Sequence, residues 1–151
     1  GHIAGRIVAG YWPIRSEVDP RPLMATLERH GARLALPVVA HPTLRFRAYH
    51  TGDALIAAGF GTFGPPEGAE EVAPDLLLMP CAAFDRSGNR IGYGAGHYDR
   101  AIAALRGERH GRPPDLVALA FSVQEVAHVP AEPHDRILDA IVTEREWVAP
   151  A

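Results

Sequence analysis

Lysine is absent: all 15 basic side chains of this 151-residue chain are arginine. That excludes Schiff-base chemistry and the lysine of a Walker-type phosphate loop, so phosphate would have to be held by arginine, backbone amides and metal. Serine is scarce, and Ser16, Ser87 and Ser122 do not form a G-x-S-x-G elbow, which argues against a serine hydrolase. The single cysteine, Cys81, excludes an internal disulfide and a multi-cysteine zinc site. So little cysteine fits a reducing compartment, with the cytoplasm expected. The eight histidines include no H-E-x-x-H or similar pair, so a histidine metal site is not expected. No apolar run approaches membrane-spanning length, and the residues after Gly1 show neither a basic leader nor an apolar cleavage segment. A net charge of -3 gives no electrostatic drive toward nucleic acid or membrane, although histidine protonation at mildly acidic pH shifts that balance.

What is present is the composition of one globular domain, 47% hydrophobic and 22% charged, with a monomer favoured. Residues 6–12 read as a strand. Asp19 is placed as the N-cap of a helix with Pro20 at its first position, Leu23 and Leu27 on one face and Gly31 as its stop. Residues 33–39 form a second buried strand in which Pro37 predicts a bulge or an edge. Residues 44–50 alternate as an outer strand, 53–58 read as a short helix, and 59–74 as a long loop of the kind that is often functional. Between Asp75 and Pro80 there is no polar side chain, as in the middle of a sheet covered on both faces. Residues 85–89 are a tight turn, Tyr98, Ile102 and Leu105 recur at helical spacing up to Gly107, and 115–121 is another buried strand. The segment 129–144 reads as a loop carrying Glu132, His134, Asp135 and Asp139, then a short Ile-Val strand. The alternation predicts an α/β fold: a three-layer, Rossmann-like sandwich around a largely parallel sheet, with ligands outside the carboxyl ends of its strands.

The most informative run is Arg90-Ile91-Gly92-Tyr93-Gly94-Ala95-Gly96-His97-Tyr98-Asp99-Arg100. Glycine at every second position lets N–H groups crowd around an anion, and the residues that follow read as the first turn of a helix. The run has the form of a phosphate cradle with a metal-holding carboxylate attached. Bland alternatives stand beside this. Asp99 complements a helix dipole equally well, Arg90 alone reads as a surface arginine, Trp12 as core, Glu17 as a turn cap and Asp135 as a strand cap. Cys81 reads as a packed small residue without a nearby base.

Together, Asp75 to Pro80, Ala83-Phe84-Asp85, Gly88, Arg90, Gly92, Gly94, Gly96, Tyr98, Asp99 and Arg100 closely resemble the signature of the 5-formyltetrahydrofolate cyclo-ligase family. Tyr11, Trp12, Glu17, Val18, Asp19, Leu36-Pro37-Val38, Phe46, Ala118 to Phe121, Gln124, Pro130, His134-Asp135 and Thr143-Glu144 extend the likeness over essentially the whole chain. The resemblance implies ATP- and magnesium-dependent cyclisation of 5-formyltetrahydrofolate to 5,10-methenyltetrahydrofolate. It also implies that Arg90 to Tyr98 hold the ATP phosphates, with Arg90, Tyr98 and Arg100 serving catalysis; Arg100 anchors either the loop or a phosphate. Asp99 and Asp135 would hold magnesium, and Trp12, Glu17, Tyr93, Gly94, Ala95, Gly96 and His97 would bind the folate. Three departures stand out. The family opens with a basic helix that helps bind ATP, whereas a single domain, 1–151, lacking that helix is expected here. Ala95 stands where glycine or lysine is common, and His97 where an aromatic is usual. The alternatives are a non-catalytic folate- or nucleotide-binding relative, and a sugar-phosphate or coenzyme A enzyme on a similar scaffold.

Overall fold

The computed structural model describes residues 3–14, 16–40, 43–59, 62–92, 97–109, 111–130 and 137–150. Strands β1 (Ile7–Ala9) and β2 (Arg33–Ala40) lie parallel, Val8 beside Leu34, with helix α1 (Arg21–Arg29) between them in the chain. β3 (Thr43–Tyr49) turns back antiparallel on β2. A separate hairpin follows, β4 (Ile56–Gly59) with β5 (Thr62–Gly64). β6 (Leu76–Pro80) then enters beside β1, and a second small hairpin, β7 (Ala83–Phe84) with β8 (Arg90–Ile91), leads toward helix α2 (His97–Glu108). β9 (Asp115–Leu119), β10 (Ala140–Val142) and β11 (Trp147–Val148) complete a seven-stranded sheet ordered β11-β10-β9-β6-β1-β2-β3. Its inner strands β10, β9, β6, β1 and β2 are parallel, and the two edges, β3 and β11, are antiparallel.

Successive strand residues point to opposite faces, so the inner strands feed two cores. Ala9, Ala35, Leu77, Met79, Leu116 and Ala118 pack with Ala101, Ile102 and Leu105 of α2, while Val8, Leu34, Leu36, Leu78, Val117 and Leu119 pack with Met24 of α1. The helices therefore cover opposite faces, giving the expected three layers. Each fully buried aliphatic side chain contributes roughly 1.5–3 kcal/mol, which lets strands as short as β1 hold their place.

Local details differ from the sequence expectation. β1 is shorter than 6–12, because the chain leaves the ladder after Gly10, whose N–H reaches Ala35 O at 3.0 Å. Pro20, not Asp19, is the N-cap of α1. Asp19 still accepts the Arg21 N–H at 3.0 Å and takes two bonds from its guanidinium, so the carboxylate acts at the expected amide while the helix begins one residue later than expected. Beyond Gly31 the amides of Gly31 and Ala32 return to the Glu28 and Leu27 carbonyls and close the helix. Pro37 sits in an unbroken register with Phe46 of β3, so there is no bulge there; β1 pairs only with residues 33–35, which leaves the other flank of β2 without a ladder at Pro37.

The helix expected at 53–58 is replaced by β4, and the expected long loop 59–74 contains β5 and a bridge between Arg47 and Glu71. Pairing across the hairpin outweighs a weak local preference. The hairpin is seated on β2: a Cβ added at Gly64 would stand 2.9 Å from Val38 Cγ1, 3.1 Å from Pro37 O and 3.2 Å from Ala58 Cβ. Gly64→Ala is expected to lift the hairpin at a cost of about 1–3 kcal/mol, seen as a lowered melting temperature. Unchanged melting would show that the hairpin does not rest there.

From β1 the chain moves outward to β2 on one side and to β6 on the other. The strand order thus reverses between β1 and β6, and their carboxyl ends open a crevice of the kind in which doubly wound sheets bind ligands.

Candidate functional site

Both walls of that crevice come from the segments leaving β1 and β6. On the first, Tyr11 is buried and donates from its hydroxyl to Val18 O at 2.6 Å, closing the loop 11–18. Within that loop the Ile14 N–H donates to Glu17 Oε1 at 2.9 Å and holds a half-buried carboxyl against its own turn. Burial pushes Glu17 above the usual carboxylate range, and the Ile14 bond opposes this only in part. The Tyr11 phenol is raised by burial and further by Glu17, Tyr98, Cys81 and Asp19, which places these groups in one electrostatic neighbourhood. Trp12 is half-buried, with the Arg21 guanidinium 4.6 Å from its ring centre and Phe63 of β5 edge-on at 6.4 Å.

On the second wall, Cys81 follows β6, and burial pushes its thiol up to about 11 against the opposing pull of Arg90. This agrees with a packed residue rather than a nucleophile. The hairpin β7–β8 then delivers Arg90. Its side chain is only 11% exposed; its guanidinium lies 5.9 Å from the centre of the Tyr98 ring and 4.0 Å from Asp99 Oδ1, Asp99 itself being 39% exposed. Burial raises the Tyr98 phenol, Arg90 pulls it down and Glu17 raises it again. A Cβ at Gly92 would stand 2.7 Å from Arg90 Nη1, so this glycine leaves room for the guanidinium to fold back. Asp99 lies in the first turn of α2, and Arg100 is exposed on the same helix.

The hairpin is pinned from below. Ala82 N–H donates to Ile91 O at 2.7 Å, Val126 N–H to Phe84 O at 2.8 Å, and Gln124 Nε2 to Cys81 O at 2.9 Å. Asp85, 2% exposed, accepts from the amides of Ser87, Asn89 and Val129 at 3.0, 3.1 and 2.8 Å. Arg86 bridges Glu125 and Glu146 outside it.

Of the expected site residues, the structure brings Arg90, Tyr98 and Asp99 together, and puts Glu17 near Tyr98; Trp12 stands on the loop that carries Glu17. Tyr93, Gly94, Ala95, Gly96 and Asp135 lie outside the described residues, and His97 is described only as the first residue of α2. Among the described residues no group of three or more His, Cys, Asp or Glu forms a metal cage. Asp99, acidic and partly exposed at a helix start, nevertheless has the chemistry for magnesium, which takes one or two carboxylates and fills its shell with phosphate oxygens and water. Phe63, which packs on Trp12, lies where the sequence reads as loop; a β-prone Thr-Phe between glycines is the available signal for its strand.

Comparison with known proteins shows which family and fold the chain is similar to. The 5-formyltetrahydrofolate cyclo-ligase family matches residues 4–144. The 5-formyltetrahydrofolate cyclo-ligase of Mycolicibacterium smegmatis is 34% identical over 97% of this chain and 77% of its own length, and that of Escherichia coli K12 is 34% identical over 93% and 79%. The NMR structure of Aquifex aeolicus 5,10-methenyltetrahydrofolate synthetase superposes with a TM-score of 0.78 at 30% identity, covering 96% of this chain and 72% of that one. No described helix is long and apolar enough to cross a membrane. The chain belongs to the 5-formyltetrahydrofolate cyclo-ligase family, a family of ligases.

Proposed function

We propose that this protein closes 5-formyltetrahydrofolate to 5,10-methenyltetrahydrofolate at the expense of ATP, releasing ADP and phosphate, as a cytoplasmic monomer. The observation that carries the reading is the meeting of Arg90, Tyr98 and Asp99 at the start of α2, with the half-buried Glu17 near Tyr98, in a cyclo-ligase family member.

In this reaction the formyl oxygen takes the γ-phosphoryl group, N10 attacks the activated carbon, and phosphate leaves. The residues must therefore hold a γ-phosphate in line with an amide-type oxygen and neutralise its charge. By the family resemblance the run from Ile91 to Tyr98 would offer main-chain N–H groups to the phosphates, and the first turn of α2 adds the positive end of a helix. Arg90 offers a planar fork of donors to phosphate oxygens, and its near burial strengthens that attraction. The Tyr98 ring beneath the guanidinium restricts its swing, and Arg100 anchors either the loop or a phosphate. Asp99 and Asp135 would hold magnesium, which when bound neutralises phosphate charge. Glu17 retains acceptor capacity beyond its bond from Ile14 and suits the donor edge of a pterin. By the family resemblance, Trp12 and residues 93–97 would bind the folate.

The test is incubation with 5-formyltetrahydrofolate, magnesium and ATP while methenyl absorbance is followed. Growth that requires all three is expected. Folate binding without turnover would favour the non-catalytic relative, and neither binding nor turnover would overturn the reading.

A further inference from the structure

The carboxamide of Gln124 is fixed in direction by three bonds. It ends a short 3-10 turn, Ser122–Gln124, that follows β9. Its Oε1 accepts the Phe121 N–H at 2.7 Å, and its Nε2 donates to Cys81 O at 2.9 Å and to Ala82 O at 3.3 Å. Turning the amide over would set an oxygen against two carbonyls, so one orientation alone satisfies all three partners. The turn itself is rooted at the sheet, because Glu144, just beyond β10, accepts the Ser122 N–H at 2.7 Å and the Ser122 hydroxyl at 2.9 Å. Cys81 O and the Ala82 N–H belong to one peptide plane and point away from it in opposite directions. Gln124 holds the carbonyl side of that plane, and the N–H side donates to Ile91 O at 2.7 Å. Ile91 follows Arg90 in β8 and leads into the glycine-rich run. Asp85 thus fixes the turn end of the β7–β8 hairpin, whereas Gln124 fixes the open end, from which the chain continues to α2.

We propose that Gln124 is a positioning residue for the nucleotide: through the Cys81–Ala82 peptide it sets where Arg90 and the start of the glycine-rich run stand relative to the phosphates. This rests on the cyclo-ligase reading. A side chain remote from the reactants acts in this way because a displacement of about 1 Å in a group that holds the substrate costs up to about 10²-fold in rate.

Gln124→Glu keeps the shape of the side chain and the acceptor for Phe121, and loses only the donors. Its carboxylate would face two carbonyl oxygens, which favours the protonated acid, and that acid regains an O–H donor. The titratable groups bonded around this position behave otherwise: Ser122 holds Glu144 below the ordinary carboxylate range, burial pushes Cys81 up to about 11, and Glu125 is paired with Arg86. The test is calorimetric titration with magnesium and ATP in the absence of folate, alongside steady-state kinetics, on the wild type, Gln124→Glu and Gln124→Met. At about pH 8 the glutamate variant is expected to bind magnesium-ATP about tenfold more weakly, with a loss of at least that size in kcat/KM for ATP. Relative to the wild type, both should recover as pH falls toward about 5.5, where a raised carboxyl takes up its proton. Methionine, which has no donor at any pH, should show the same loss throughout. Wild-type affinity at pH about 8 in whichever variant folds overturns the role. A loss in Gln124→Glu that does not change with pH overturns it too, as does a recovery shared by Gln124→Met. A wild type that binds no magnesium-ATP removes the functional reading and this role together.

Discussion

Asp99→Ala is expected to lose magnesium-ATP-dependent turnover by about 10³-fold or more, because a carboxylate placed to hold the nucleotide's counterion acts where charge must be neutralised during phosphoryl transfer. The same substitution should barely change folding. Asp99 is partly exposed, its pairing with Arg90 is long at 4.0 Å, and a first-turn acid contributes only about 0.3–1 kcal/mol to its helix. That contrast separates the two roles available to this residue. Thermal melting close to the parent's with turnover gone supports the metal role. Full activity with a small drop in melting temperature would leave Asp99 as a helix-dipole partner and remove it from the metal site.

The second large effect falls on stability. Asp85→Ala deletes the acceptor for the Ser87, Asn89 and Val129 amides beneath the hairpin that carries Arg90. Charge-assisted bonds contribute roughly 1.5–3 kcal/mol each, so a loss of about 3–5 kcal/mol is expected, or on the order of 10 °C in melting temperature. The pH dependence has a definite sign. Burial alone raises the Asp85 carboxyl, but the amides of Val129, Asn89 and Ser87 and the Asn89 side chain outweigh it and hold it below its ordinary value. The unfolded chain therefore binds this proton more readily. Asp85 stabilises the protein fully above the unfolded value of about 3.9, and the contribution disappears as pH falls through the folded one. Melting temperatures between neutral pH and pH 3 should show wild type and Asp85→Ala converging in acid. A constant gap between the two curves would contradict this account of the hairpin.

The layers were legible because buried parallel strands leave uninterrupted apolar runs such as Leu76 to Met79, and α2 leaves Tyr98, Ile102 and Leu105 at helical spacing. The hairpins β4–β5 and β7–β8 were not, since strands of two to four residues are too short to show a period. Their existence depends on partners elsewhere: Val38 beneath Gly64, and Val126 and Val129 beside Phe84 and Asp85. The site divides in the same way. Arg90 and Asp99 belong to one continuous run, and local spacing predicts their meeting at the start of α2. The approach of Glu17 to Tyr98, and of Phe63 to Trp12, depends on strand order. Glu17 and Tyr98 come together because β1 and β6 are neighbours, whereas Phe63 reaches Trp12 because the β4–β5 hairpin rests on β2, beside β1.

The central claim is that the nucleotide's triphosphate lies at the start of α2 against Arg90. A crystal structure of the protein with magnesium and a non-hydrolysable ATP analogue tests it most directly. The expected result is phosphate oxygens within hydrogen-bond reach of Arg90 and of main-chain amides between Ile91 and Tyr98, with the metal beside Asp99. A triphosphate bound elsewhere, with the Arg90–Asp99 pair left untouched, would contradict it.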